Sequence, residues 1–390
     1  MELNKPTLFK ERFNILKQIN HFMSPKTVNI GATYLKQLFF WFLGSCIIGA
    51  GLILLAGENP IRVYSALIVE GFFTQRGIMI GIQRSTPLIL AATAAAVAFQ
   101  GGAINLGIQG QFLVGAAVAA LVSSNIPEMP KIFAVMIVLF FSAIGGALAG
   151  WIPAFFKMVS GVSEVITGMI ANLIMPSLLS IVFGLPYLRD LRRTAAQTGV
   201  KPWAILSYFS EITQGGIGFG TKANTGIFVA IAVVFVMVLF MRFTKLGYEI
   251  RMSSANFKFA EFSGIKANRR FYSTLMISGA VAAIAGATEI LGVWRGYYTN
   301  TISVGYSGLV VALVGGNTFV GSMLAAMMYG GLQSGTLTAS WHTGIPRPFI
   351  NVLIEVLFLF SAIPSMRLFF TGKGHSENDR FGTEFTEIGS

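Results

Sequence analysis

Apolar residues fall into long runs separated by short polar joints, and most runs approach the roughly 20 residues that a helix needs to cross a bilayer. Such runs cover residues 38–56, 78–99, 132–151, 162–183, 226–241, 272–293 and 349–363. Two further pieces, 104–122 and 305–332, are glycine-rich. The second is long enough to hold a broken pair of half-helices, so the pattern predicts about ten crossings. Residues 59–73, NPIRVYSALIVEGFF, show helical spacing after a proline but are too short and too charged to cross. They predict a helix along the outer surface. The expected architecture is an all-α, polytopic membrane bundle with broken, glycine-rich helices.

The stretch 100–122, QGGAINLGIQGQFLVGAAVAALV, sets Asn105, Gln109 and Gln111 among glycines inside membrane-grade sequence. In hydrocarbon every backbone N–H and C=O must be satisfied, so interrupted helix survives only where it is buried in protein or lines a watery cavity. Asn105, Gln109 and Gln111 can donate and accept hydrogen bonds without carrying charge, which suits the path of a neutral polar solute. The same amides can also bind helices to one another. Both readings stay open. Segment 161–184 places Glu164 and Asn172 eight residues apart, near one helix face and about 12 Å apart in depth. Glu164 stands at a span end, where it can snorkel to the interface. Glu289 lies deeper and stands out as the one deep carboxylate. Charge there is costly, so it predicts contact with protein or water.

Composition agrees with the pattern, since 54% of the 390 residues are hydrophobic and 11% charged, and mean hydropathy is +0.69. A soluble domain carries roughly a quarter of its residues charged. The formal charge of +12 follows the membrane and not a nucleic-acid groove. Residues 1–37 hold six Lys or Arg against two acids, and 242–270 hold seven against two. The positive-inside rule therefore puts both in the cytoplasm, and an even number of crossings returns the C-terminus there. The expected division is a basic N-terminal segment 1–37, a permease region 38–366 with an outer loop 184–225 and a basic inner loop 243–270, and a cytoplasmic tail 367–390. The first span reads as a retained signal anchor. Cys46, the sole cysteine, lies within it and excludes a disulfide framework.

In the inner loop, MRFTKLGYEIRMSSANFKFAEFSGIKANRRF, Asn256 is placed to cap a short helix and Gly264 to end it, with Phe257, Ala260 and Phe262 on an apolar side. Such a helix suits a groove on a partner protein, or the membrane surface. No G-x-x-x-x-G-K-[ST], H-E-x-x-H or G-x-S-x-G motif occurs, and His21, His342 and His375 are scattered. The chain is not expected to be an enzyme.

Four segments together resemble the inner-membrane permease subunit of ATP-binding-cassette importers for simple sugars and nucleosides, a family that includes ribose-type and branched-chain amino acid permeases. Residues 86–117 carry Thr86, Pro87, Asn105, Gly107, Gly110 and Gln111 of one signature, and residues 161–172 carry Glu164, Val165, Ile166 and Asn172 of another. The inner loop resembles the coupling segment through Arg251, Asn256, Ala260, Phe262, Gly264 and Ile265. The last third resembles the family through SGAVAAIAGATEILGV and GYSGLVVALVGGNTFVGSMLAAMMYGG. Departures are Gln109 in place of a Glu, Ser254 in place of a Gly, Phe257 in place of the coupling Pro, and Gly168 in place of a Thr. Nucleoside members are the nearest in pattern.

The resemblance implies half of a solute path bordered by Asn105, Gln109, Gln111, Asn172 and Glu289. It also implies ATPase coupling through Arg251, Asn256, Ala260, Phe262, Gly264 and Ile265. The implied partners are a second permease, with this chain the larger of a heteromeric pair, cytoplasmic ATPases that hold the ATP and Mg, and an external solute-binding lipoprotein, all at a bacterial inner membrane. No cofactor is expected in this chain. A simple-sugar permease is the nearest alternative, and an ion-coupled secondary transporter, which also uses broken helices, is another.

Overall fold

The computed structural model describes residues 25–185, 198–216, 218, 220–297 and 304–373. Most of segment 1–37, much of the tail 367–390 and part of loop 184–225 lie outside the described residues. The described chain is almost entirely helical: α1 (Pro25–Leu55), α2 (Pro60–Phe72), α3 (Gln75–Gln100), α4 (Ile108–Asn125), α5 (Lys131–Ser160), α6 (Glu164–Gly184), α7 (Phe209–Ile212), α8 (Gly226–Phe243), α9 (Lys245–Ala255), α10 (Phe257–Phe262), α11 (Ala267–Glu289), α12 (Val304–Val314), α13 (Phe319–Thr343) and α14 (Arg347–Lys373). Two-residue strands β1 (Thr198–Gly199) and β2 (Gly296–Tyr297) pair antiparallel.

Among the described residues, eight helices are long and apolar enough to cross a membrane. The interrupted piece 305–332 makes a pair of unequal parts. Helix α12 has 11 residues and rises about 16 Å, half of a bilayer core. Helix α13 has 25 residues, enough to cross, but is diluted by Ser322, Gln333, Ser334, Thr336, Thr338 and Ser340. Each break has a local cause. Gly101 and left-handed Gly102 (φ 74°) close α3, and left-handed Gly316 and Asn317 (φ 66° and 57°) separate α12 from α13.

Helices α3 and α11 form the centre, and α11 packs on α3, α4 and α5. The α5–α11 contact is made by small residues: a Cβ on Gly279 would stand 2.2 Å from the Gly146 carbonyl oxygen, and one on Gly150 2.2 Å from that of Leu275. Backbones approach this closely only where side chains are missing. Gly279→Leu is therefore expected to lower stability by about 3 kcal/mol or more, the upper range for forced overpacking. Gly51→Ala, which meets open space, should leave it unchanged. Thermal melts of the solubilised protein compare the two, and equal melting would mean that the α5–α11 seam is loose.

Helix α2 exists as expected but does not lie free along the outer surface. Its Val63, Leu67 and Gly71 are buried, and it packs along α13, where Gly71 meets the Gly331 carbonyl and Gly335 meets Leu67. Glycines on both helices allow the seam, which local hydropathy does not disclose.

The two polar loops occupy opposite ends of α3. Near one end Gln83 Oε1 accepts from the Lys222 N–H at 3.1 Å, and past the other a Cβ on Gly102 would stand 2.8 Å from Ser254 Oγ. Lys222 and the basic loop thus lie at opposite ends of this helix.

Candidate functional site

The turn between α3 and α4 is held by the amides that stand out in the sequence. Asn105 Nδ2 donates to Gln111 Oε1 and to Ser278 Oγ, both at 2.8 Å, while Asn105 Oδ1 accepts from the Gly107 N–H at 3.0 Å. Ser278 in turn donates to the Ala94 carbonyl at 2.7 Å, tying the turn to α3. From α6, Asn172 accepts the Gly110 N–H and donates to the Leu106 carbonyl, each at 2.7 Å. Gln109 Oε1 accepts the N–H of Gly305 in the first turn of α12 at 2.8 Å. The bonded backbone groups of Leu106, Gly107, Gly110 and Gly305 sit at broken or starting helix, where no intrahelical partner exists, whereas the Ala94 carbonyl lies within α3. Asn105, Gln109, Gln111 and Asn172 are all buried. Sequence spacing brought these four to notice, but Ser278, the link from Asn105 to α3, carries no local signal.

The same packing explains a departure from the family pattern. A Cβ on Gly168 would stand 2.7 Å from the Gly107 nitrogen, so α6 lies directly on the turn. The neighbouring Glu164 pairs with Lys157 at 3.1 Å across the α5–α6 turn.

Glu289 lies away from this core, at the other end of α11. It is buried and accepts from Trp294 Nε1 at 3.0 Å. A π-helical turn, Ile290–Trp294, follows it, the widened geometry that often marks functional positions. Arg295 then leaves the helix with φ 52° and forks onto Glu211 at 2.7 and 2.9 Å, its guanidinium 3.6 Å from the Tyr208 ring centroid. Burial opposes the Glu211 charge, but the Tyr208 N–H, Arg295 and Lys131 outweigh it and hold the carboxyl below its usual range. The latch is therefore complete above the ordinary carboxylate pKa and is lost as pH falls through the lowered one.

At the basic end, Asn256 caps α10, its Oδ1 accepting from the Phe259 N–H at 2.9 Å, and Gly264 leaves with φ 79°. Glu249, buried on α9, pairs with Arg270 of α11 at 2.6 Å, so the loop is braced against the central helix. Ala260 is buried, whereas Phe262 is 92% exposed. Arg251 and Gly264 are exposed, and Ile265 is half-buried.

Glu289 is not the one deep carboxylate. Glu355 is the ninth residue of the span Arg347–Met366, and the Tyr329 hydroxyl donates to its Oε1, as does Ser307 Oγ at 3.1 Å. Charge at the centre of a bilayer costs roughly 2.5–3.5 kcal/mol on insertion scales, so these donors have a clear purpose. The signal, a lone Glu inside FINVLIEVLFLF, was legible in the sequence.

Residues 77–362 match the family model described as "Branched-chain amino acid transport system / permease component". The chain belongs to that family. This permease is 28% identical over 343 residues to the nucleoside ABC transporter permease protein NupB of Lactococcus lactis, covering 87% of this chain and 93% of that one. It is 30% identical over 330 residues to the guanosine ABC transporter permease protein NupP of Bacillus subtilis, covering 83% and 92%. The glucose ABC transporter permease protein TsgB13 of Haloferax volcanii is 25% identical over 322 residues, covering 82% and 84%. The permease is thus a multi-pass membrane subunit of an ATP-binding-cassette transporter, and works with ATPase partners.

Proposed function

We propose that this permease forms half of the path by which a neutral nucleoside enters the cell, driven by ATP hydrolysis on partner subunits. The observation that carries the reading is its likeness, over nearly the whole chain, to nucleoside and guanosine permeases. The broken core supports it, because Asn105, Gln109, Gln111, Asn172 and Ser278 offer amides and a hydroxyl, and none of these five side chains is a cation that would pair a phosphate or carboxylate. A second permease, heteromeric with this one, completes the path, and an external solute-binding lipoprotein delivers the solute.

Uptake by the reconstituted complex, competed in turn by nucleosides, ribose-like sugars, nucleotides and branched-chain amino acids, tests the assignment. Competition by nucleosides is expected. Competition by amino acids alone, or uptake that persists with an ATPase-dead partner, overturns it. Glucose competition would favour the sugar reading that the TsgB13 likeness motivates.

The broken core and Glu289 border the path in this reading, although the amides bond inward in the present conformation. Opening α6 and α12 away from the turn would uncover them. Cysteines at 105 and 109, in a Cys46→Ala background, are expected to react with a small polar thiol reagent in at least one transport state. No reaction in any state, with an outer position still labelled, assigns these amides to packing alone.

A further inference from the structure

The first turn of α12 and the middles of α13 and α14 share a polar face that the described chain leaves uncovered. Glu355 Oε1 accepts from Ser307 Oγ at 3.1 Å and from the Tyr329 hydroxyl, and Gln333 Nε2 donates to the Tyr329 oxygen at 3.1 Å. Tyr329 is buried, while Ser307, Gln333 and Glu355 are half-buried. Asn351, one turn before Glu355, is exposed. Every bond to the Glu355 carboxylate falls on Oε1. Among the described residues nothing pairs with Oε2, or with the side-chain oxygen of Gln333, and neither atom is sealed from the surface.

Depth makes this face informative. Glu355 lies eight residues into the span that begins at Arg347, about 12 Å along the helix axis and near its middle. A half-buried carboxylate at that level is not left to hydrocarbon, so the face turns to water or to protein. It also adjoins the broken core, since Ser307 lies two residues after Gly305, whose N–H is held by Gln109. Two unpaired acceptors beside a tyrosine and a serine ask for donors from a ligand, and a cation is not needed to supply them.

We propose that Glu355, Gln333, Ser307 and Tyr329 form a solute-contacting site in the wall of the translocation path. There Glu355 Oε2 and the Gln333 side-chain oxygen accept hydrogen bonds from the ribosyl hydroxyls of a neutral nucleoside. The placement rests on the permease reading above, and the nucleoside as ligand rests on the substrate assigned there. Tyr329 and Ser307 hold the carboxylate in position by occupying its other oxygen.

The test uses the complete transporter in proteoliposomes. Asn351→Cys and Gln333→Cys, each in the Cys46→Ala background, are treated with a membrane-impermeant methanethiosulfonate in each nucleotide state. Labelling is expected in at least one state, slowed severalfold by transported nucleoside. Glu355→Ala is expected to cut the maximal nucleoside uptake rate by about tenfold or more, the factor that loss of a hydrogen bond to a charged group carries. Glu355→Gln, which keeps an acceptor, should lose less, and co-purification with the ATPase at wild-type level confirms assembly. If neither cysteine reacts in any state while Lys201→Cys does, the face is sealed in a subunit contact and the proposal falls. It falls equally if Glu355→Ala transports at the wild-type rate. Labelling slowed by a sugar in a transporter that ignores nucleosides would keep the site and reject the nucleoside. Absence of labelling in a transporter that imports nucleosides would reject the site and keep the substrate.

Discussion

Phe262→Asp is expected to abolish ATP-driven uptake while leaving the permease folded in the membrane. The reason lies in the contrast between two residues of one short helix. Ala260 is buried against the bundle and Phe262 is 92% exposed, so α10 is seated on one side and presents an aromatic on the other. The seat is firm, because Asn256 caps the helix and Glu249 on the preceding helix pairs with Arg270 of α11. The loop that carries α10 is thereby braced against the central helix of the bundle. Interface aromatics of this kind cost about 2 kcal/mol or more when removed, roughly thirtyfold in affinity, and an aspartate adds the cost of burying a charge. Co-purification with the ATPase and uptake in proteoliposomes are the two readouts. Normal values of both, at normal expression, would show that α10 is not the docking element and would leave membrane-surface attachment as its role.

The second large effect is expected at Asn172. Its side chain serves two backbone groups of the turn, the Gly110 N–H and the Leu106 carbonyl, and it is buried. Asn172→Leu strands both. Each buried group left without a partner costs about 1–3 kcal/mol, and the sum is comparable with much of the net stability of an ordinary domain. Loss of folded protein from the membrane is expected. Asn172→Asp keeps an acceptor for Gly110 but loses the donor to Leu106, and should fall between the two. Melting temperature and membrane yield check the order. If Asn172→Leu melted like the natural protein but failed to transport, the residue would be a path contact and not a strut. Gly168→Thr, which restores the family residue, should destabilise the same seam because no room remains beside Gly107.

Membrane spans and the broken segments were legible in the sequence because each has a local cause. Apolar length decides a span, and a glycine with positive φ decides a break. The cap at Asn256 and the stop at Gly264 were legible for the same reason, since the side chain or the missing Cβ acts on its own backbone. Tertiary structure alone decided what distant groups do to one another. Asn105 finds Ser278 across 173 residues, Gln109 finds Gly305 across 196, and α2 lies on α13 because Gly71 and Gly331 meet. Glu355 was visible as a letter, but Ser307 and Tyr329 reach it from two other helices. An amide or carboxylate in a membrane must find partners, and the sequence announces that need. Which partners answer depends on helix crossings, set by close backbone approach over the whole bundle.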